Sequence, residues 1–407
     1  MTTPALTIYD DGLGRFGPMA SLRPVFEFRS GVMLSCERIE KVLKGHAGIL
    51  FVPEMMAGVV KENHPDAQVN PGTLDEGGYL LVNGRWAGVG HADGVAGLVL
   101  GQALVQGDGQ AVAACLERDD AQAFIRSGFT TLPDSTTTAR LTQRALIDRP
   151  WHLLDELPTN LLADLEHSDV PEYKAKAHPG VTAFGDHPIR IAKSAQVMPS
   201  VVIDAAYGPV VIQDDAVINP LTVLQGPCSI GRDSVLVSHT SIRRNTVIGP
   251  GCKVGGEIAG SILHSYSNKA HAGYLGDSLV GSWVNLGADT NVSNLKNTYN
   301  PVRVRLDEHS PAEDTGRTFQ GAVIGDFVRT AIGTRLSTGT VVHPGCMLSV
   351  TGWAPKLATA LGFYTDAGRD DYDSDKLIAT LKAVMDRRDT RLTGEVESLI
   401  RSLGNQA

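Results

Sequence analysis

The 407-residue chain is poor in cysteine: five stand at 36, 115, 228, 252 and 346, with no CxxC or other ligand spacing. That excludes a sequence-defined zinc site or disulfide framework and leaves small buried hydrophobes in a reducing compartment as the reading. No run of about eighteen apolar residues occurs, so no membrane-spanning helix is expected. The start MTTPALTIYDDG lacks the basic-then-apolar pattern of a signal peptide, which makes the cytoplasm the expected compartment. Positive charge is in deficit as well: a net charge of −9 argues against a nucleic-acid partner. Aromatics are scarce at 6%, whereas glycine is plentiful at 44 residues. Together these suit a core of aliphatics enclosed by tight corners.

What the chain does have is a ladder. Ile212, Ile218, Leu224, Ile230, Leu236, Ile242, Ile248 and Val254 stand six apart without a slip. Neither a 3.6-residue helix nor a period-two strand holds that spacing, whereas a hexapeptide-repeat parallel β-helix does. The residue four further on is always small: Ala216, Thr222, Cys228, Ser234, Thr240, Thr246 and Cys252. Upstream the step holds at Ile191, Val197 and Ile203, and a nine-residue jump leaves a short loop at AAYGP. Downstream it recovers at Val280, Leu286 and Val292, and again at Ile324, Thr330, Leu336, Val342 and Leu348. Two windows, 255–279 and 293–323, are expected to leave the regular path, where such scaffolds carry binding groups.

The expected organisation is therefore an α/β domain over 1–155, a connecting helix and linker over 156–188, a β-helix over 189–352 and a helical tail over 353–407. The first domain shows short apolar runs (ALTIY, GILFVP, GYLLVNG) alternating with helix-like stretches. In the tail, Leu377, Leu381, Val384, Leu392, Val396, Leu399 and Leu403 fall at mostly helical spacings.

Residues 255–297 gather an acid (Glu257), a base candidate (His271), a phenol (Tyr274), amides (Asn285, Asn291, Asn294) and two lysines (Lys269, Lys296). Polar density of this kind is costly in a solenoid unless it faces a ligand. An imidazole with a free pKa near 6.5 takes a proton from an amine at neutral pH, and a carboxylate on its far nitrogen fixes the tautomer. Amides and lysines suit a hydroxyl-rich, phosphorylated ligand. Lone histidines are commonly structural and asparagines common at turns, so residue types alone leave both readings open.

At these residues a resemblance enters. KAHAGYLGDSLVGSWVNLGADT resembles the acetyltransferase signature, HxxYLGDxxxGxxVNxGAGT, of the bifunctional N-acetylglucosamine-1-phosphate uridyltransferase and glucosamine-1-phosphate acetyltransferase family. YSNKAHAGYLGD, SNLKN, SLRPVFEFRSG and VNGRW are similar to a bacterial branch that joins a shortened nucleotidyltransferase-like domain to a left-handed β-helix. The resemblance implies a trimeric acyl-CoA-dependent N-acetyltransferase acting on an amino-sugar phosphate or nucleotide sugar. It makes His271 the general base, Glu257 the carboxylate that orients it and Asn294 a residue beside the reacting centre. It puts Arg243 on the sugar phosphate, with Arg244 a near alternative, and Tyr274 and Asn285 on the amino sugar. Acetyl-CoA would lie near Ala288 and Ser337, with backbone amides near Asn285 to Ala288 as oxyanion donors.

The chain also departs from that pattern. Ala259 stands where the family has a second phosphate-binding lysine. Lys296 is the candidate for the substrate-binding lysine after the SN motif, but the insertion TYNPVRVRLDEHSPAEDTGRTFQ follows it; Arg303 and Arg305 there are open to a compensating role or to a solvated one.

In the N-terminal domain, GLGRFGPMASLRP echoes the glycine-rich GxGTRL loop whose amides cradle a triphosphate. Gly12, Gly14, Arg15 and Arg23 are the weak nucleotide-binding candidates. The loop is one residue short, Val25 replaces the phosphate lysine, and Asp108 is only a weak Mg²⁺ ligand beside its reading as a surface turn. Mg²⁺ and a nucleoside triphosphate are therefore left open, and two alternatives stand beside the acyltransferase: a sugar-1-phosphate nucleotidylyltransferase, and a non-catalytic sugar-nucleotide-binding assembly protein.

Overall fold

A computed structural model of the protein describes residues 3–87, 89–166 and 168–404. The chain forms two compact units, Met1–Arg15 with Leu22–Glu156, and Phe16–Ser21 with Leu157–Ala407.

The first unit is built on a seven-stranded sheet. Its strands run in the order Gln68–Val69, Ile49–Phe51, Ala5–Tyr9, Gly78–Asn83, Ala111–Glu117, Gln102–Val105 and Thr137–Arg140. The first four are parallel, and Ala111–Glu117 runs antiparallel to both its neighbours. The inner strands read as largely apolar runs because both faces are covered, whereas the edge strand Thr137–Arg140 is exposed throughout. Ile8 packs with Ile39 and Val60 on one side, and Tyr9 with Phe124 on the other.

The second unit is the β-helix that the ladder predicts. Short parallel strands stack into three faces. The first face runs from Thr182–Phe184 to Arg335–Leu336, the second from Ile189–Ile191 to Leu357–Ala358. The third runs from Gln196–Val197 to Asn268–Lys269 and continues through bridges to Asn285 and Arg329. Regular coils take eighteen residues: Ile212 pairs with Ile230, and Ile230 with Ile248. All eight ladder aliphatics and the seven small corner residues are buried. The five cysteines are free and buried, Cys228 and Cys252 in those corners and Cys346 in the equivalent slot of a later coil. Fully burying one such aliphatic is worth about 1.5–3 kcal/mol, so the repeat itself is the main source of cohesion.

The two windows behave differently. Residues 255–279 do not leave the helix: Ile258, Leu263 and Leu275 keep the inward slots, but the coils shorten. Ile248 pairs with Leu263 and Val254 with Lys269, fifteen residues on rather than eighteen. The expected excursion there is thus corrected, since corner residues were lost while every inward slot stayed filled. The second window is a true excursion. Val280 pairs with Ile324, forty-four residues on, and the intervening loop carries the antiparallel hairpin Arg303–Val304 with Glu313–Asp314.

Helix Pro150–Glu166 precedes the solenoid. After Trp353 the chain adds solenoid strands through Thr365, with Met347–Ser349 pairing Phe363–Thr365, before the tail becomes helical. Helices Ser374–Asp386 and Gly394–Leu403 follow, capped by the side chains of Asp373 and Thr393. Leu377, Leu381, Leu392, Leu399 and Leu403 are buried, as their spacing predicts.

Candidate active site

On the first face, inward and outward residues alternate strictly. Ile242, Ile258, Leu275 and Val292 fill the core, which turns Glu257 and Tyr274 outward in one register row. Arg243, just past its strand, lies beside that row. Over this surface and the corner leading to the second face opens a cavity of about 590 Å³, lined by Arg243, Arg244, Tyr274, Asp277, Asn294 and Phe319 among others. The short loop at Ala205–Pro209 contributes Tyr207, whose ring carries the Arg244 guanidinium at 4.4 Å.

The polar lining forms a chain of contacts. Asn294 Nδ2 donates to the Tyr274 hydroxyl at 3.1 Å and to Asp277 Oδ2 at 2.6 Å. Arg317, from the inserted loop, stands 3.5 Å from Asp277 Oδ1. Burial raises the pKa of Asp277, with Asn294 and Arg317 opposing, and burial likewise raises that of Tyr274. Arg243 Nη1 meets Glu257 Oε1 at 3.0 Å. This wall therefore presents guanidinium, phenol and amide groups, a set suited to a phosphate and to sugar hydroxyls.

His271 sits exposed at the corner between the third and first faces, three residues before Tyr274. What holds that corner is Lys269, which sequence reasoning grouped with ligand-facing lysines. It occupies an inward slot in register with Val254 and is only 2% exposed. Its Nζ donates to the carbonyl oxygens of Gly255 at 3.2 Å, His271 at 3.0 Å and Ala272 at 3.4 Å. Burial pulls its pKa down from 10.5 to about 8, with Asp289 opposing. A lysine in an aliphatic slot was legible as a break in the ladder, and its cause is this carbonyl clamp.

Several expected site residues lie elsewhere in the single chain. Glu257 is paired with Arg243 rather than with His271, because register turns it towards the arginine. Asn285 is on the third face, where its Oδ1 accepts from Asn268 Nδ2 at 3.3 Å. Lys296 is half-buried and donates to Pro301 O at 2.7 Å. Arg303 and Arg305 bind carbonyls of their own loop, so they shape it and do not line the cavity. Ala288 shares the corner column of His271, one coil on, whereas Ser337 lies past the first-face strand Arg335–Leu336. Of the amides expected to meet an oxyanion, those of Asn285, Leu286 and Gly287 already donate to Val328 O, Asn268 O and Thr330 Oγ1. Among the described residues, the Ala288 N–H of that stretch has no such partner.

The first unit presents a different picture at its glycine-rich loop. Gly12, with φ +65°, follows strand Ala5–Tyr9 and permits the turn. Asp10 accepts from the Gly12 N–H at 3.0 Å and the Val25 N–H at 2.9 Å, while Asp11 accepts from the Leu13 N–H at 3.1 Å. Gly14 lies within this loop, and the Arg15 N–H donates to Asp148 O at 2.9 Å. Arg23 is 9% exposed. The fully buried Arg85 pairs with Asp11 at 2.7 Å and also with Asp148. Asp108 sits exposed in a turn, accepting from its neighbour Gln110, and among the described residues no group of three acids, histidines or cysteines is placed to hold a metal. Nor, among them, is any helix long and apolar enough to cross a membrane.

Residues 6–169 match the family described as sugar nucleotidyl transferase. The chain is 32% identical over 149 residues to the bifunctional protein GlmU of Methanococcus maripaludis, covering 35% of this chain and 36% of that protein. It is 30% identical over 150 residues to the bifunctional sugar-1-phosphate nucleotidylyltransferase/acetyltransferase of Sulfurisphaera tokodaii, covering 35% and 37%. Against the uncharacterized acetyltransferase YaiX of Escherichia coli, identity is 30% over 158 residues, 38% of this chain and 68% of that protein. The matches thus span about a third of the length of the bifunctional relatives.

Proposed function

We propose, since the chain belongs with the acetyltransferases represented by YaiX and matches the bifunctional sugar-1-phosphate nucleotidylyltransferase/acetyltransferases over about a third of their length, that its solenoid is an acetyl-CoA-dependent N-acetyltransferase acting on an amino-sugar phosphate or nucleotide sugar. The observation that carries this reading is the cavity of about 590 Å³ with Arg243, Arg244, Tyr274 and Asn294 in its wall, reached by the strand that His271 precedes.

In this mechanism Arg243 and Arg244 hold the acceptor's phosphate, and the Tyr274–Asn294 pair orients the sugar ring. His271 takes a proton from the sugar amine as its nitrogen attacks the thioester carbonyl. The C–N bond forms, the negative charge collects on the carbonyl oxygen, and the Ala288 N–H meets it. Collapse breaks the C–S bond, CoA leaves as a thiol with the proton returned to it, and the amide product remains. His271 does not line that cavity in the single chain, so the reading also takes up a homotrimer in which neighbouring subunits complete each site.

The family match over residues 6–169 favours a second reading, nucleotidyl transfer in the first unit. Its loop weighs against turnover: Asp10 and Asp11 accept the amide hydrogens that a triphosphate would need and place two carboxylates beside the phosphates. We therefore assign the first unit at most weak nucleotide binding. The test is a paired assay of CoA release from acetyl-CoA with a panel of amino-sugar phosphates, and of pyrophosphate release from UTP and dTTP. CoA release with at least one acceptor is expected. Pyrophosphate release without CoA release would replace the first reading with the second.

A further inference from the structure

On the third face a second cavity, of about 280 Å³, opens over the outward column Lys253, Asn268, Asn285 and Arg329, whose residues stand in register on successive coils. The end of helix Ser374–Asp386 closes over it and brings Arg387 and Arg388. Tyr266 and Trp283, stacked at 4.5 Å and 7°, form a rigid aromatic wall. Four cations therefore line one small cavity, and among the described residues none of its lining groups is acidic. In a chain of net charge −9 such a concentration of one sign costs free energy unless an anion offsets it.

One of these cations is fixed by the fold. Arg388 donates to Gly251 O at 3.0 Å and to Asn268 Oδ1 at 3.0 Å, which fixes its guanidinium and the helix end above the column. Arg329 is different: its Nε and Nη2 are buried without a hydrogen-bond partner. Burial draws its pKa down, with Tyr372 opposing. Desolvated N–H donors of a charged group are costly to leave unmet, by about 1–3 kcal/mol or more, and two neighbouring guanidinium donors match two oxygens of one phosphoryl group. The volume admits a diphosphate but not a whole nucleotide sugar.

We propose that this cavity is an anion site that takes the diphosphate or phosphate-ester portion of a ligand, with Arg329 as its central donor and Lys253, Arg387 and Arg388 around it. The site is defined by the third face and the C-terminal helix, and its existence does not depend on acyl transfer.

Pyrophosphate is the probe, titrated calorimetrically into the full-length protein in its native oligomeric state, with acetate as a control anion. Pyrophosphate binds, acetate does not, and the affinity falls as salt rises. Arg329→Met weakens pyrophosphate binding about tenfold or more, in line with the loss of a charged hydrogen bond. Arg387→Ala, an exposed change that leaves the fold intact, weakens it in the same direction, whereas Arg305→Ala in the inserted loop does not. No pyrophosphate binding, or binding that survives both Arg329→Met and Arg387→Ala unchanged, overturns the proposal.

Discussion

The first-face cavity and the glycine-rich loop of the first unit differ in what their polar groups are free to do. In the solenoid, register turns Arg243 and Arg244 out into an open cavity. In the loop, the donors that would meet phosphate are used internally: Asp10 takes the amides of Gly12 and Val25, and Asp11 engages Leu13, Asn83 and Arg85. A fold can be kept while its ligand is replaced by its own side chains. The difference is one of available donors rather than of architecture.

The largest effect expected from breaking this contrast is on stability. Asp11→Ala leaves the fully buried Arg85 with a single, half-exposed carboxylate partner, and unfolding of the first unit is predicted to become easier by about 3–5 kcal/mol. An unchanged denaturation midpoint would show that Asp11 is not holding the loop.

Next in size is the clamp at Lys269. Its pKa near 8 in the folded state lies below its ordinary 10.5, so between these values the unfolded chain keeps a proton that the folded chain has released. Stability conferred through this residue therefore rises with pH across about 8 to 10.5, by at most about 3 kcal/mol, and is lowest at neutral pH. Lys269→Met should remove that rise and speed amide hydrogen exchange across residues 270–273. Identical pH profiles in the two proteins would contradict a buried, titrating lysine.

Smaller still is the effect on substrate. Arg243→Ala is predicted to raise the KM for the acceptor by about 10- to 100-fold, the loss of one charged hydrogen bond to phosphate, with little change in kcat. Smallest of all is Arg305→Ala, which removes contacts to its own loop; stability should move by no more than about 0.5 kcal/mol and acceptor KM not at all. If Arg305→Ala raised KM as Arg243→Ala does, the inserted loop would belong to the phosphate site.

The solenoid was legible because Ile212 to Val254 repeat without a gap, and a period of six has one structural meaning. The window 255–279 was misjudged for a physical reason. Shortened corners move the phase of the repeat while leaving Ile258, Leu263 and Leu275 in core slots, and Lys269 disguises one slot as polar. The cluster around His271 was found by its polar density and family pattern, but density along the chain says nothing about which face each residue takes. Asn285 and Tyr274 are eleven residues apart and look out from different faces. Asp10 and Asp11 were passed over because their partners, Val25 and Arg85, are remote in sequence.

The most direct measurement is the rate of CoA release by His271→Ala, at saturating acetyl-CoA with the best acceptor of the panel, in protein shown to keep the native melting temperature and oligomeric state. Removal of a general base is worth about 10²- to 10⁴-fold, and a loss in that range in kcat, with acceptor KM little changed, is the predicted result. CoA release at the wild-type rate would contradict the assignment of His271 and, with it, the active site built around it.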